Sequence, residues 1–156
     1  MSEVRVKVWR VEPRSSSHYL LILQDEHGQL LPMRIGICEA VSIQTAFRPR
    51  PGLPEIATTH DLLGEFIGRL GGRLAKVVID DLWNEVYFAR LHLAVDSEVV
   101  TVDARPSDAV AIALRMEAPL YATESVMAAA NKPDEPERGP GGDRDSPDAD
   151  LDQDDI

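Results

Sequence analysis

The chain has 156 residues, a net charge of −11 and one cysteine, which bounds it to about one domain with a sizeable core and excludes an intrachain disulfide framework. The acidic balance argues against a protein that holds nucleic acid by charge alone. No apolar run approaches the ~20 residues of a membrane span, and the opening MSEVRVKVWRVEP has no signal-peptide core, so a cytoplasmic protein with no membrane partner is expected.

Val4, Val6, Val8 and Val11 alternate as a first strand. A turn with Pro13 leads to a second strand, His18 to Gln24, and Asp25-Glu26-His27-Gly28 reads as a hairpin before a third, Leu30 to Ile35. Gly36 permits a tight turn, and a helix opens at Glu39 and runs to about Phe47, with Cys38 expected as a buried structural thiol at its entry. An Arg/Pro-rich loop follows, from Arg48 to Ala57. Thr58 then caps a helix, with Asp61 three residues on as a capping-box partner. Leu62, Leu63, Phe66, Ile67 and Leu70 line one face of that helix, and Gly71-Gly72 stops it. Strands are predicted at Leu74 to Asp80, Val86 to Ala94 and Val99 to Asp103, then a helix from Ser107 to Met116, a short strand to Ala122 and a helix to Ala130. The sum is an α+β domain over residues 1–130, a mixed β-sheet with helices packed on it. Residues 131–156 carry ten acids against three bases and almost no apolar side chain. A tail of that composition is expected to be disordered.

The two halves look alike. A shift of 69 puts Glu39, Ala40, Val41 and Ile43 on Asp108, Ala109, Val110 and Ile112. It puts Leu31, Met33 and Ile35 on Val100, Val102 and Ala104, and Ile22 on Leu91. Each half reads βββα, which predicts an internal duplication with a pseudo-twofold axis. Small mixed sheets expose edges that need covering. The first strand is apolar enough on one face for a partner chain to cover it, so a homodimer or higher closed oligomer is expected.

The densest chemistry lies in DARPSDAVAIALR, residues 103–115. Asp103 ends a strand, Pro106 biases Arg105 toward extended backbone, Ser107 suits a helix N-cap and Asp108 the first turn. Two carboxylates, a hydroxyl and a guanidinium thus meet at one strand-to-helix corner. Two readings of that corner stay open. It is a binding or catalytic site, or it is a lock in which Arg105 pairs with Asp103 and Asp108.

Together with LPMRIGICEAVSIQTA (31–46), THDLL (59–63) and VVIDDLWNEVYFARL (77–91), this segment resembles the bifunctional nuclease domain family of bacteria and plants over roughly residues 3–130. The resemblance implies a compact α+β fold, self-association, and hydrolysis of phosphodiester bonds in RNA, DNA or both. The chain departs from the family pattern in loops, at Trp83-Asn84-Glu85 and over Gly52 to Thr58.

Phosphodiester cleavage needs an activated water and a means to neutralise the charge that develops on phosphorus. One route holds Mg²⁺ or Mn²⁺ on carboxylates, with Glu39, Asp103 and Asp108 as ligands. The other uses His60 with Asp61, Asp103 or Asp108 in proton transfer and Arg105 as a phosphate clamp. His60 and Asp61 diverge by about 100° on a helix, so each needs a partner elsewhere. Arg48, Arg50, Arg105 and Ser107 are the candidate substrate contacts. The rival reading is a non-catalytic oligomeric regulatory or anion-binding module, with small anions held at the helix start near Ser107.

Overall fold

The computed structural model describes residues 2–47 and 57–132. The Arg48–Arg50 stretch and the acidic tail from 133 onward therefore lie outside the described residues.

Seven strands and four helices form in the order β1 (Glu3–Pro13), β2 (His18–Asp25), β3 (Leu30–Gly36), α1 (Ile37–Phe47), α2 (Thr59–Arg69), β4 (Gly72–Trp83), β5 (Val86–Val95), β6 (Glu98–Ala104), α3 (Pro106–Arg115), β7 (Leu120–Thr123) and α4 (Glu124–Ala130). The strands make one mixed sheet in the order β3-β2-β1-β7-β4-β5-β6. Only β4 and β7 run parallel; the other pairs are antiparallel. Local chemistry sets the turns. At the β2–β3 hairpin the Asp25 carboxylate accepts the His27 and Gln29 backbone N–H groups at 2.9 and 2.7 Å, and Gly28 takes a φ of +84°. Between β4 and β5, Asn84 and Glu85 both adopt positive φ, as a two-residue hairpin turn requires.

Read outward from β7, the sheet is the same on both sides: β1-β2-β3 then α1, and β4-β5-β6 then α3. Because β7 is antiparallel to β1 and parallel to β4, the two halves also run in opposite senses. The likeness is one of connectivity. The register does not keep a common offset, since Ile22 lies opposite Pro32 and outside the main core, whereas its counterpart Leu91 is in it. The β2–β3 and β5–β6 ladders are both unbroken but close on turns of different length, pairing Gln24 with Leu30 and Val95 with Glu98, and a one-residue slip exchanges the faces of a strand.

The core sits under the helices. Leu21, Leu23, Leu31, Ile43, Val77, Ile79, Val110 and Val126 are its largest fully buried side chains. Two expectations are corrected here. The first strand, β1, lies between β2 and β7 inside the sheet, and the edges are β3 and β6; pairing with the late strand β7, some 115 residues away in sequence, is what covers it. Cys38 is exposed, because α1 turns Ala40, Ser42 and Ile43 to the core and leaves Ile37, Cys38 and Val41 outside.

The edges position the site. Each edge strand feeds a helix, β3 into α1 and β6 into α3. Six strand spacings would separate flat edges by about 29 Å. Yet Arg105 after β6 pairs with Glu39 after β3 at 3.0 Å. Twist and curl of the sheet therefore bring its two outer corners together over the core.

Candidate active site

Three helix starts meet at this place. α2 begins at Thr58, whose backbone N–H and hydroxyl both donate to Asp61 Oδ2, at 2.6 and 2.7 Å, completing the predicted capping box. The other Asp61 oxygen accepts from Arg115 Nε at 2.5 Å. Arg115 also donates to Thr58 Oγ1 and to the backbone carbonyls of Ser42 and Ala111. It thereby ties α1, α2 and α3 together, with only 10% of its side chain exposed.

The Arg105 corner is built differently. α3 starts at Pro106, one residue before the expected start, since proline lacks the N–H that a first turn leaves unpaired. Arg105 is the N-cap residue, extended at φ −67° and ψ 140°, and Ser107 is buried rather than capping. The Arg105 side chain folds back on Asp108 as a fork, Nε to Oδ2 at 2.7 Å and Nη2 to Oδ1 at 3.1 Å. Nη2 also lies 3.0 Å from Glu39 Oε1. His60, 13% exposed, pairs Nε2 with Asp108 Oδ1 at 2.9 Å and Nδ1 with the Ser42 hydroxyl at 2.8 Å. The predicted divergence of His60 and Asp61 is thus observed, and each finds its own partner.

Charge follows the contacts. Burial pushes the Asp108 carboxyl upward, but hydrogen bonds from Arg105 and His60 outweigh it and hold the group below its ordinary range. Asp61 behaves likewise: burial raises it, while Thr58 and Arg115 bring it down further. The Arg105 guanidinium is held protonated by the hydrogen bond and charge of Asp108, then by Glu39.

Not every candidate joins. Asp103 is 91% exposed and pairs with Arg90, which also holds Asp80. Its strand neighbour in register is Arg90, whose flanking residues Ala89 and Leu91 point into the core, so alternation turns Asp103 to the helix-free side of the sheet. The lock between Asp103, Arg105 and Asp108 is therefore corrected, with Glu39 in the place of Asp103. Two participants escaped the sequence reading. Ser42 stands one turn after Glu39, and its signal was a polar residue on an apolar helix face. Arg115 stands two turns after Asp108 on the same side of α3.

Comparison with known proteins bears on this cluster. The bifunctional nuclease domain matches residues 21–135, a span that holds the whole junction. The chain belongs to that family. An uncharacterized protein of Mycobacterium tuberculosis is 40% identical over 134 residues, covering 83% of this chain and 76% of that protein. Bifunctional nuclease 1 of Oryza sativa subsp. indica is 28% identical over 121 residues, 72% of this chain but 35% of the rice protein. Bifunctional nuclease 1 of Arabidopsis thaliana is 31% identical over 108 residues, 65% of this chain and 31% of its own length. The chain thus spans about a third of the plant bifunctional nucleases it matches.

The carboxylates of this domain are already engaged by basic groups. Glu39 and Asp108 are held by Arg105 and His60, Asp103 faces elsewhere, and no group of three or more His, Cys, Asp or Glu among the described residues is arranged to hold an ion. What the junction does offer is an exposed guanidinium with its geometry set by two acids, beside a histidine–aspartate pair.

Proposed function

We propose that the chain hydrolyses phosphodiester bonds in RNA or DNA at the Arg105 corner. The observation that carries this is the state of Arg105. Two carboxylates orient its fork, 67% of its side chain is exposed, and Nη1 has no partner among the described residues. A planar guanidinium held that way is a preset clamp for a phosphate oxygen, and its charge opposes the negative charge that grows in the transition state. His60 sits behind Asp108 with both ring nitrogens engaged. Its role in this reading is to hold Asp108, and through it Arg105, in place. Family membership supports the reading, as do plant relatives that carry the name nuclease. The test is cleavage of labelled RNA and DNA by the purified chain, with and without EDTA, alongside Arg105→Ala. Activity in the wild type and none in the variant supports the reading. Equal activity in both sinks it, and the EDTA arm reads whether a divalent cation takes part.

Self-association belongs to the same proposal. No residue of α2 is buried, and Leu62, Leu63, Phe66 and Leu70 lie exposed along it, with Ile37 and Val41 on α1. An apolar face of that size is expected to be covered, and a second copy is the natural cover for it. Light scattering on the wild type should give at least twice the 17.2 kDa chain mass, and on Phe66→Glu nearer one chain; a wild-type mass of one chain refutes it.

A further inference from the structure

We infer that Glu39 is the group that takes the proton from the attacking water, and that Gly36 is the residue that keeps its acceptor oxygen open. The inference rests on the phosphodiesterase reading and adds the base that reading lacks. It comes from following every acceptor at the junction. Both Asp108 oxygens are engaged, Oδ1 by His60 and Arg105 and Oδ2 by Arg105. Both Asp61 oxygens are engaged, by Thr58 and Arg115. Both His60 nitrogens are engaged. Glu39 pairs through Oε1 with Arg105, and Oε2 has no partner among the described residues. No buried polar side-chain atom among those residues lacks a partner, so an unpartnered Oε2 is one that reaches solvent. It belongs to a carboxylate only 17% exposed and already joined to the clamp, so a water on Oε2 lies beside a phosphate held by Arg105.

Gly36 makes the room. A Cβ built on Gly36 would fall 2.5 Å from Glu39 Oε2 and, its two chain neighbours aside, would have only the Glu39 carboxyl carbon besides within 4 Å, at 3.6 Å. The φ of Gly36 is not positive, so an alanine is conformationally admissible there and its only conflict is with the end of a flexible side chain. Gly36 is thus a positioning residue. In the step itself the water oxygen bonds to phosphorus, its proton passes to Glu39 Oε2, and the P–O bond to the leaving oxygen breaks. The leaving oxygen is protonated from solvent, and Glu39 returns its proton to solvent, so one water has added across the bond.

The experiment uses the full chain and a labelled single-stranded oligonucleotide that the wild type cleaves. Glu39→Gln should lower kcat by about 10²-fold or more, with thermal unfolding near the wild type. Glu39→Ala should fall as far and recover part of its rate in added formate, which a purely structural acid would not do. Gly36→Ala should lower kcat while KM and the melting temperature stay near the wild type, because Arg105 remains and only Oε2 is displaced. Glu39→Gln at the wild-type rate, or Gly36→Ala with kcat intact, overturns the inference while leaving the phosphodiesterase reading standing. A wild type that cleaves neither RNA nor DNA overturns that reading, and this inference with it.

Discussion

Arg105 and Arg115 stand at opposite ends of α3, each answering an aspartate from a helix first turn, Asp108 and Asp61 respectively. There the likeness ends. Arg115 is 10% exposed, reaches three helices, and spends two of its bonds on backbone carbonyls. Arg105 is 67% exposed and, among the described residues, pairs with carboxylates and leaves Nη1 without a partner. A mostly buried arginine with every nitrogen engaged is a joint, since removing it takes a partner from the Asp61 carboxylate, from Thr58 and from two backbone carbonyls at once. An arginine that is itself exposed adds less, because water solvates its guanidinium and Asp108 keeps the His60 bond when Arg105 is gone. The same chemistry thus divides into a lock and a clamp according to burial. The lock that the sequence suggested at Arg105 exists ten residues further along the helix.

The largest expected effect is on the lock. Arg115→Ala should lower the unfolding free energy in urea by about 3–5 kcal/mol, a large part of a typical ~5–15 kcal/mol. A loss under about 1 kcal/mol would put Arg115 in the same class as Arg105 and erase the contrast. Arg105→Ala should do the reverse, costing about 1 kcal/mol or less in the same melt while cleavage falls about 10²–10³-fold. An unfolded Arg105→Ala would mean the corner is structural after all.

A smaller effect sharpens the comparison through acid. Both aspartates titrate below their ordinary range when folded. Their contribution is therefore present above the unfolded aspartate value and is lost as pH falls through the folded one. Acid unfolding should begin only below the ordinary aspartate range. Asp61→Asn, which faces the lock, should flatten that acid limb more than an exposed control such as Asp103→Asn. Equal limbs would show that Asp61 carries no differential proton binding. The smallest effect concerns the cap of α2. Thr58→Ala should cost about 1 kcal/mol, read by thermal melt. It removes the cap bond that Thr58 Oγ1 accepts from the Asp61 backbone N–H, the hydroxyl bond to the Asp61 carboxylate and the one that Arg115 donates.

Much of this was legible in local spacing. Thr58 and Asp61 announced a capping box, Asp25 to Gly28 a hairpin, and alternating valines the strands, and all three formed. The charged corner at Arg105 was legible too, though the duplication is not confirmed beyond a likeness of connectivity. Glu39 and Asp108, set on one another by the shift of 69, both pair with Arg105. One corner supplies the guanidinium; the other supplies a gap in which the second carboxylate lies. The sequence reading failed where a contact crossed the sheet. Asp103 is two residues from Arg105 and looked like its partner, but strand alternation sends it to Arg90 on the far side. Glu39 is 66 residues away and is the partner observed. Cys38 looked buried because its neighbours are apolar, but only one side of α1 meets the core.

By itself, then, the sequence determined the elements, their caps and turns, and the α+β class, because those depend on neighbours within a few residues and on the period of apolar positions. Only the tertiary structure decided which acid answers which arginine, and which arginine is buried. Those depend on how far a seven-stranded sheet curls and on which strand β7 joins, β1 on one side and β4 on the other, and these are outcomes of long-range packing that local spacing does not encode.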